Sequence, residues 1–218
     1  MKRHLIIGAS GGIGRAIADH MTGEVTRLSR SADGFDITDE ASIQKILGQL
    51  EGPFDTVFVA TGALVIDGYE PEKTIKALTA KGLADQYQLN AVGPALILKH
   101  TLPLLPKDRR SVFAVLSARV GSIGDNQIGG WHSYRAAKAA LNQLIHGASI
   151  ELARTHKQAI CVCLHPGTVE TEFTAKYAGH HKTVSPIDAA QNLIGVMDSL
   201  TTEQTGQFFD YAGAQIPW

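Results

Sequence analysis

The sequence has almost no excess of charge, few cysteines and no long apolar run. Lysine and arginine number 20 and aspartate and glutamate 21, so the formal net charge of the 218 residues is -1. This balance gives no long-range field for nucleic acid or an anionic membrane, and we expect neither as a partner. No apolar stretch is long enough to span a membrane, and residues 5–7 are too short for a signal peptide because glycines follow them. We therefore expect a cytoplasmic protein.

Cysteine and metal-ligand patterns are equally sparse. Cys161 and Cys163 are two residues apart in an apolar run, so in a strand they share one face and are expected to be small core residues without a disulfide. No spacing of histidine and cysteine resembles a zinc site, and we predict no metal.

Short β-rich runs alternate with helical patterns along the chain. Strands are predicted at 5–8, 25–29, 34–38, 56–60, 111–117, 159–164 and 207–211, about seven in all. Helices are predicted at 12–21, 39–50, 133–154 and 185–200, together with a long tract at 72–105 that Gly82 and Gly93-Pro94 are expected to divide or bend. Near-continuous apolar strands are typical of parallel sheets covered on both faces. The prediction is an α/β doubly wound parallel sheet (Rossmann fold) forming one domain over residues 1–218.

A glycine cluster, GASGGIG, follows the first predicted strand. Gly8, Ser10 and Gly12 fit the G-x-S-x-G elbow of a serine hydrolase, which exposes a reactive serine. Gly8, Gly12 and Gly14 also fit a phosphate cradle, in which N–H groups at a helix start meet a pyrophosphate. We favour the cradle because an elbow needs no glycine at position 14. The hydrolase and a purely structural turn remain as alternatives.

A second motif lies in SYRAAKAALNQL. Tyr134 and Lys138 are four residues apart in a helical pattern and so share one face. An ammonium about 5 Å from a phenol, at an effective dielectric near 20, favours the phenolate by roughly 3 kcal/mol, or about two pKa units. Ser117 ends the run VFAVLS, where its hydroxyl can donate to a carbonyl oxygen. The ordinary interpretations are an exposed tyrosine–lysine pair and a serine that caps a strand end.

Together these motifs resemble the short-chain dehydrogenase/reductase family over essentially the whole chain. The matches, in the family's order, are GASGGIG, FDIT, ATGA, LNAVGP, VLS, YRAAK and HPGTVET. The compact length, LHPGTVET and the ending GQFFDYAGAQIPW are most similar to the family's C-factor/sniffer-like branch.

The resemblance implies a catalytic role for four residues. Tyr134 would be the general acid in carbonyl reduction and the base in the reverse direction. Lys138 would bind the nicotinamide ribose and lower the pKa of Tyr134. Ser117 would orient the substrate oxygen, and Asn90 would bind a water that links Lys138 to solvent.

The resemblance also implies a set of cofactor contacts. Pro166, Gly167 and Thr171 would lie against the nicotinamide, and Asp36 would bind the adenine amino group with Ile37 beside the ring. Thr61 stands where the family often has an asparagine that braces the central strands, and we expect it to substitute partly. The full set is Gly8, Ser10, Gly12, Ile13, Gly14, Ser29, Arg30, Asp36, Ile37, Ala60, Thr61, Gly62, Tyr134, Lys138, Pro166, Gly167, Val169 and Thr171.

The end of the second predicted strand indicates NADP(H) as the cofactor. NAD enzymes of this fold place an acidic residue there to bind the ribose 2′-hydroxyl. Here Ser29 occupies the expected position, and the guanidinium of Arg30 can pair with a 2′-phosphate. The alternative is that Arg30 is a solvated loop residue and that Asp33 supplies the carboxylate after a shift in register.

The remaining expectations concern substrate and assembly. Residues 168–185 form a long polar connection where this family has its substrate lid, and residues 122–131 form a facing wall with Ile123, Ile128 and Trp131. This predicts a small, partly apolar carbonyl or alcohol substrate. An NADP-binding signalling or regulatory protein with little turnover is the alternative. Family members pair through the helices around Asn90 and Tyr134, which implies a homodimer or homotetramer.

Overall fold

The described part of this computed structural model, residues 1–171 and 183–218, contains one six-stranded parallel sheet. The strands are β1 (Arg3–Ile7), β2 (Glu24–Leu28), β3 (Thr56–Val59), β4 (Ser111–Leu116), β5 (Ala159–His165) and β6 (Phe208–Asp210). Their order across the sheet is β2-β1-β3-β4-β5-β6, and every neighbouring pair is parallel. The chain therefore builds outward on both sides of β1. The predicted doubly wound parallel sheet is confirmed, with the change of direction between β1 and β3.

Helices cover both faces of the sheet. They are α1 (Gly12–His20), α2 (Arg30–Asp33), α3 (Glu40–Leu47), α4 (Ala80–Tyr87), α5 (Gly93–Thr101), α6 (His132–Thr155) and α7 (Pro186–Ser199). Residues of α3, α5 and α6 share one apolar cluster with Leu5 and Ile7, whereas residues of α1 and α7 share the other with Ile6. The alternation along β1 follows from the two-residue period of a strand. Both cysteines are buried and unbridged in β5, as predicted.

The structure corrects the prediction at residues 34–38, which form no strand. Gly34 adopts a left-handed conformation (φ 64°) at the end of α2, and the Asp36 carboxylate accepts hydrogen bonds from the Thr38 backbone N–H and hydroxyl. A local turn of this kind takes up groups that a strand would pair with its neighbour. The described residues therefore form six strands rather than about seven.

The long tract after β3 is divided at one of the two expected places. Gly82 lies within α4, in the first turn, where its N–H donates to the N-cap residue Thr79. It does not break the helix because that N–H would have no helical acceptor in any case. The tract is divided at the other expected place, where the π-helical turn Gln88–Val92 ends and Gly93 and Pro94 begin α5. Among the described residues, no helix is long and apolar enough to cross a membrane.

Candidate active site

A cavity of about 510 Å³ opens at the carboxyl ends of the strands. Its wall includes most of the predicted site residues, namely Ser10, Gly12, Ile13, Gly14, Ala60, Thr61, Gly62, Ser117, Tyr134, Lys138, Pro166, Gly167, Val169 and Thr171. These come from the turn after β1, from the ends of β3, β4 and β5, and from α6. The cavity is therefore at the point where the strand order changes direction, as expected for a ligand site in this fold.

The three glycines of the first turn are each needed for close packing. Gly8 has φ +86°, and a Cβ there would lie 2.7 Å from the Ala60 carbonyl oxygen. A Cβ on Gly14 would overlap the Gly8 carbonyl, and one on Gly12 would lie 2.7 Å from Thr171 Cγ2. A side chain at Gly8 or Gly14 would therefore clash within the packing of the turn against β3, and one at Gly12 would clash with Thr171.

The start of α1 presents its backbone to this cavity. No side chain of the described residues caps the helix at Gly11, and its first turn contains no acidic residue. The first N–H groups of a helix have no partner within it, and they favour an anion. The Arg15 guanidinium lines the same wall and donates to the Ser10 carbonyl at 3.1 Å.

Tyr134 and Lys138 lie together inside the cavity wall, as their spacing predicted. Their exposed fractions are only 4% and 3%. Lys138 Nζ lies 5.8 Å from the centroid of the Tyr134 ring and donates a 3.0 Å hydrogen bond to the Leu116 carbonyl oxygen. The interpretation as an exposed helix pair is therefore wrong.

Burial sets the protonation of this pair. It raises the pKa of the Tyr134 phenol above its ordinary value of 10 and lowers the pKa of Lys138 to about 8. The net pKa of Tyr134 is therefore raised rather than lowered, because desolvation outweighs the attraction of the nearby ammonium. The expectation that Lys138 lowers the pKa of Tyr134 counted the attraction between the two charges, whereas removing both groups from water opposes each charged form.

Ser117 follows β4 and is hydrogen-bonded inward. Its Oγ donates to Asn142 Oδ1 at 2.7 Å, and Asn142 lies on α6 with 2% exposure. Asn142 was not predicted as a site residue. Its position eight residues after Tyr134 is the signal that could have found it, since such residues share a helix face.

Asn90 lies behind the cavity wall, in the π-helical turn. Its Nδ2 donates to the Ala63 carbonyl at 2.9 Å and to Gln86 Oε1 at 2.7 Å, and its Oδ1 accepts from the Ala63 N–H at 3.1 Å. A Cβ built on Gly62 would lie 2.8 Å from Asn90 Oδ1 and 3.5 Å from Lys138 Nζ, so both groups meet at that glycine. The water expected at Asn90 stays a prediction.

Thr61 does not brace the strands as expected. Its Oγ1 is buried and has no hydrogen-bond partner among the described residues. The loop after β3 is held instead by the two hydrogen bonds between Asn90 and the Ala63 backbone. The Thr61 hydroxyl is thus an unpaired polar group in the wall of the cavity.

Six predicted site residues do not line the cavity: Gly8, Ser29, Arg30, Asp36, Ile37 and Asn90. Ser29 caps α2, with its Oγ accepting from the Ala32 N–H, while its own N–H donates to the Asp33 carboxylate at 2.8 Å. Hydrogen bonds from Thr38 lower the pKa of Asp36. Ile37 is packed in the core against Gly93. Their cofactor contacts stay predictions.

Several cavity residues were not predicted, including Arg15, His165, Glu170 and Pro186. Burial lowers the pKa of His165 to about 4, so its imidazole is neutral at pH 7. Arg15 follows the glycine motif on α1, and His165 and Glu170 lie within the HPGTVET segment, whereas Pro186 begins α7 and reaches the wall through the packing of that helix.

The expected lid is described only at its ends. Residues 172–182 lie outside the described residues. On either side, Val169 forms a bridge with Val184, and the Glu170 N–H donates to the Val184 carbonyl at 3.0 Å. Of the facing wall, Ile123 and Ile128 are exposed, and the Trp131 ring meets Tyr134 edge-on at 6.4 Å.

A parallel sheet with a glycine turn at its change of direction, and a buried Tyr–Lys pair beside that turn, defines a protein of the Rossmann class. The family model described as enoyl-(acyl carrier protein) reductase matches residues 13–207. The chain is 30% identical, over the full length of both proteins, to 1-hydroxy-2-glutathionyl-2-methyl-3-butene dehydrogenase of Rhodococcus sp. (strain AD45). It is 34% identical to the C-signal of Myxococcus xanthus over 136 residues, 62% of this chain and 78% of that protein.

Solved structures show the same fold. The carbonyl reductase Sniffer of D. melanogaster superposes with a TM-score of 0.85 at 22% identity, covering 100% of both chains. The NADPH-bound carbonyl reductase from chicken fatty liver superposes at 0.83 and 20% identity, covering 100% of this chain and 94% of that one. The chain belongs to the short-chain dehydrogenase/reductase family, and its relatives include C-factor-like proteins. This membership confirms the resemblance and removes the serine hydrolase alternative.

Proposed function

We propose that the chain is an NADP(H)-dependent reductase of small carbonyl compounds, with Tyr134 as the proton donor. The observation that carries the proposal is the buried Tyr134–Lys138 pair in the wall of the cavity that the glycine turn opens. The Rhodococcus relative is named as a dehydrogenase, and the two neighbouring structures are named as carbonyl reductases.

The residues present fit a dinucleotide. The glycine turn leaves space that a Cβ would fill, the start of α1 offers N–H groups, and Thr61 Oγ1 is an unpaired buried group in the wall. Arg15 at the turn and Arg30 after β2 are the cations that favour the phosphorylated form. When bound, NADPH supplies the hydride.

The protein's own contribution is to hold and deliver a proton. Because burial raises the pKa of Tyr134, the phenol is protonated at neutral pH and can donate to the carbonyl oxygen as it gains charge. The Lys138 ammonium, 5.8 Å from the ring centroid, stabilises the phenolate that remains. In the reverse reaction the same group, as the phenolate, would take the proton from the alcohol.

The test is a panel of small aldehydes and ketones with NADPH. Tyr134→Phe is expected to abolish turnover while NADPH affinity stays near the wild-type value. Tyr87→Phe, on the exposed side of α4, is the matched control and should keep full activity. Turnover that survives Tyr134→Phe would refute the assignment. NADPH binding without turnover on any carbonyl would favour a regulatory protein, a function supported by the likeness to the C-signal of Myxococcus xanthus.

A second test concerns the choice of cofactor. We predict that Arg30→Ala weakens NADPH binding about tenfold or more and leaves NADH binding nearly unchanged, because only NADPH carries the 2′-phosphate. Arg154→Ala, near the end of α6, is the control for a lost surface charge. Because the Asp33 carboxylate already lies at the end of β2, Asp33→Asn is the informative opposite variant. Weaker NADH binding in Asp33→Asn, with no effect of Arg30→Ala, would assign NAD instead.

We also propose that the protein is a homodimer or homotetramer. The large apolar side chains of Leu83 and Tyr87 on α4, and of Leu144 and Ile150 on α6, are exposed. Exposed apolar side chains on α4 and α6 would be covered if these helices paired with those of a second copy. Light scattering coupled to gel filtration measures the mass, and a monomer at micromolar concentration would contradict the proposal.

A further inference from the structure

Three polar residues form one row along α6. Tyr134, Lys138 and Asn142 are spaced by four residues and therefore lie on the same side of the helix. All three are buried, and Asn142 is 2% exposed. A buried amide is unfavourable unless its polar atoms are hydrogen-bonded, so the presence of Asn142 beside the two cavity residues requires an explanation.

Only the carbonyl oxygen of the Asn142 amide is hydrogen-bonded among the described residues. Its Oδ1 accepts from Ser117 Oγ at 2.7 Å, whereas its Nδ2 is buried and has no hydrogen-bond partner among residues 1–171 and 183–218. A serine hydroxyl carries a single proton. In this arrangement that proton is directed at Asn142, and Ser117 cannot donate it to a substrate oxygen in the cavity.

A half-turn of the Asn142 amide reverses this. The carboxamide has nearly the same shape after its oxygen and nitrogen exchange places. Nδ2 then donates a hydrogen bond to Ser117 Oγ. The serine O–H is left free to point towards the cavity and to donate there. The unpaired group becomes a carbonyl oxygen, which proteins tolerate better than an unpaired buried N–H.

We infer that Asn142 is a positioning residue for Ser117: in the working enzyme its amide donates to Ser117 Oγ and so directs the hydroxyl proton at the substrate carbonyl. The inference rests on the proposed carbonyl reductase function. Asn142 does not itself touch the substrate. Its effect passes through Ser117, which lines the cavity.

Asn142→Asp is the decisive variant because it keeps the shape and removes the donor. An ionised aspartate only accepts hydrogen bonds. The Ser117 hydroxyl would therefore donate its proton to that carboxylate and not to the substrate. Where the introduced carboxyl is ionised, we expect kcat to fall about 10²-fold, the effect of removing one hydrogen bond to a developing oxyanion. The affinity for NADPH, read by fluorescence, should stay within about twofold of wild type, since Asn142 does not line the cavity.

The pH profile separates positioning from a structural effect. A protonated aspartic acid can donate as the amide does, so the ratio of kcat in Asn142→Asp to that of wild type should rise as the pH falls. Asn142→Leu has no polar group, and its ratio should be low at every pH. In Ser117→Ala, adding Asn142→Asp should cause no further loss, because the two residues act as one unit.

Each outcome decides the matter. Wild-type kcat in both Asn142→Asp and Asn142→Leu, with Tyr134→Phe inactive, overturns this inference and leaves the proposed function intact. Absence of carbonyl turnover in the wild type overturns both. If Asn142→Asp does not fold, Asn142→Leu decides, since an unchanged kcat in that variant means that Ser117 needs no partner.

Discussion

Lys138→Met is expected to make the protein more stable at pH 7 while removing its activity. Lys138 is 3% exposed, and burial lowers its pKa from 10.5 to about 8. A lysine whose pKa is lowered on folding binds its proton more weakly in the folded state than in the unfolded state. Its charge therefore opposes folding.

The size follows from the pKa difference. Each pKa unit corresponds to 1.36 kcal/mol, so a pKa about 2.5 below its ordinary value gives roughly 3 kcal/mol of destabilisation. That penalty is fully present below pH 8 and is lost as the pH rises towards 10.5, where neither state holds the proton. Replacement by methionine also removes the hydrogen bond to the Leu116 carbonyl, which costs about 1 kcal/mol. We expect a net gain of about 2 kcal/mol at pH 7, with a reversal of sign at about pH 10.

The assay is urea unfolding of wild type and Lys138→Met, without cofactor, at intervals from pH 6 to pH 10. The difference between the two proteins cancels the contributions of all other titrating groups. Lys45→Met, on the exposed side of α3, is the control and should show no such pH dependence. A Lys138→Met protein that is less stable than wild type at pH 7, or a difference that does not change with pH, would refute the reasoning.

Two further predictions concern residues that hold the site from behind. Gln86→Leu should lower the free energy of unfolding by about 2 kcal/mol, because Gln86 joins the Leu64 carbonyl (2.8 Å) to Asn90 Nδ2 (2.7 Å) in a buried position; urea unfolding measures it, and a loss under 0.5 kcal/mol would contradict it. Glu72→Gln should cost about 1 kcal/mol at pH 7, because the carboxylate accepts from the Ser133 N–H and hydroxyl at the start of α6. Desolvation raises the pKa of Glu72, but the hydrogen bonds from Ser133 outweigh it and lower the pKa, so this stability is present above the ordinary value of 4.5 and disappears as the pH falls below it. A Glu72→Gln effect that is equal at pH 7 and pH 3.5 would show that the charge has no part.

Most of the fold could be read from the sequence because strands and helices leave periodic signals. The six strands and the order of helices follow from apolar runs and their breaks. The strand prediction at residues 34–38 failed although their composition resembles a strand. The left-handed Gly34 and the hydrogen bond from the Thr38 N–H to the Asp36 carboxylate decide the conformation there. The short helix α2 was missed because its one clear signal in the sequence is the N-cap residue Ser29.

The site could be predicted wherever its residues share one helix or end one strand. Tyr134 and Lys138 are on one helix face, and Ser117 follows a strand, so spacing alone brings them together. Asn142 was missed because its function depends on Ser117, 25 residues earlier in the chain, and only the packing of α6 against β4 makes them neighbours. The same holds for Gln86, because its structural role depends on hydrogen bonds to Asn90 and to the loop after β3.

The pKa of Tyr134 shows what spacing cannot reveal. A distance of about 5 Å between a phenol and an ammonium gives an attraction, but its net effect depends on how much water both groups lose. In the structure that loss dominates: the phenol holds its proton more firmly and the ammonium less firmly than in water. For a proton donor to a carbonyl this is no disadvantage, because an alkoxide is a far stronger base than even a destabilised phenolate. Burial thus keeps the Tyr134 phenol protonated. Lys138 remains charged at neutral pH and is close enough to stabilise the phenolate that forms when the proton is donated.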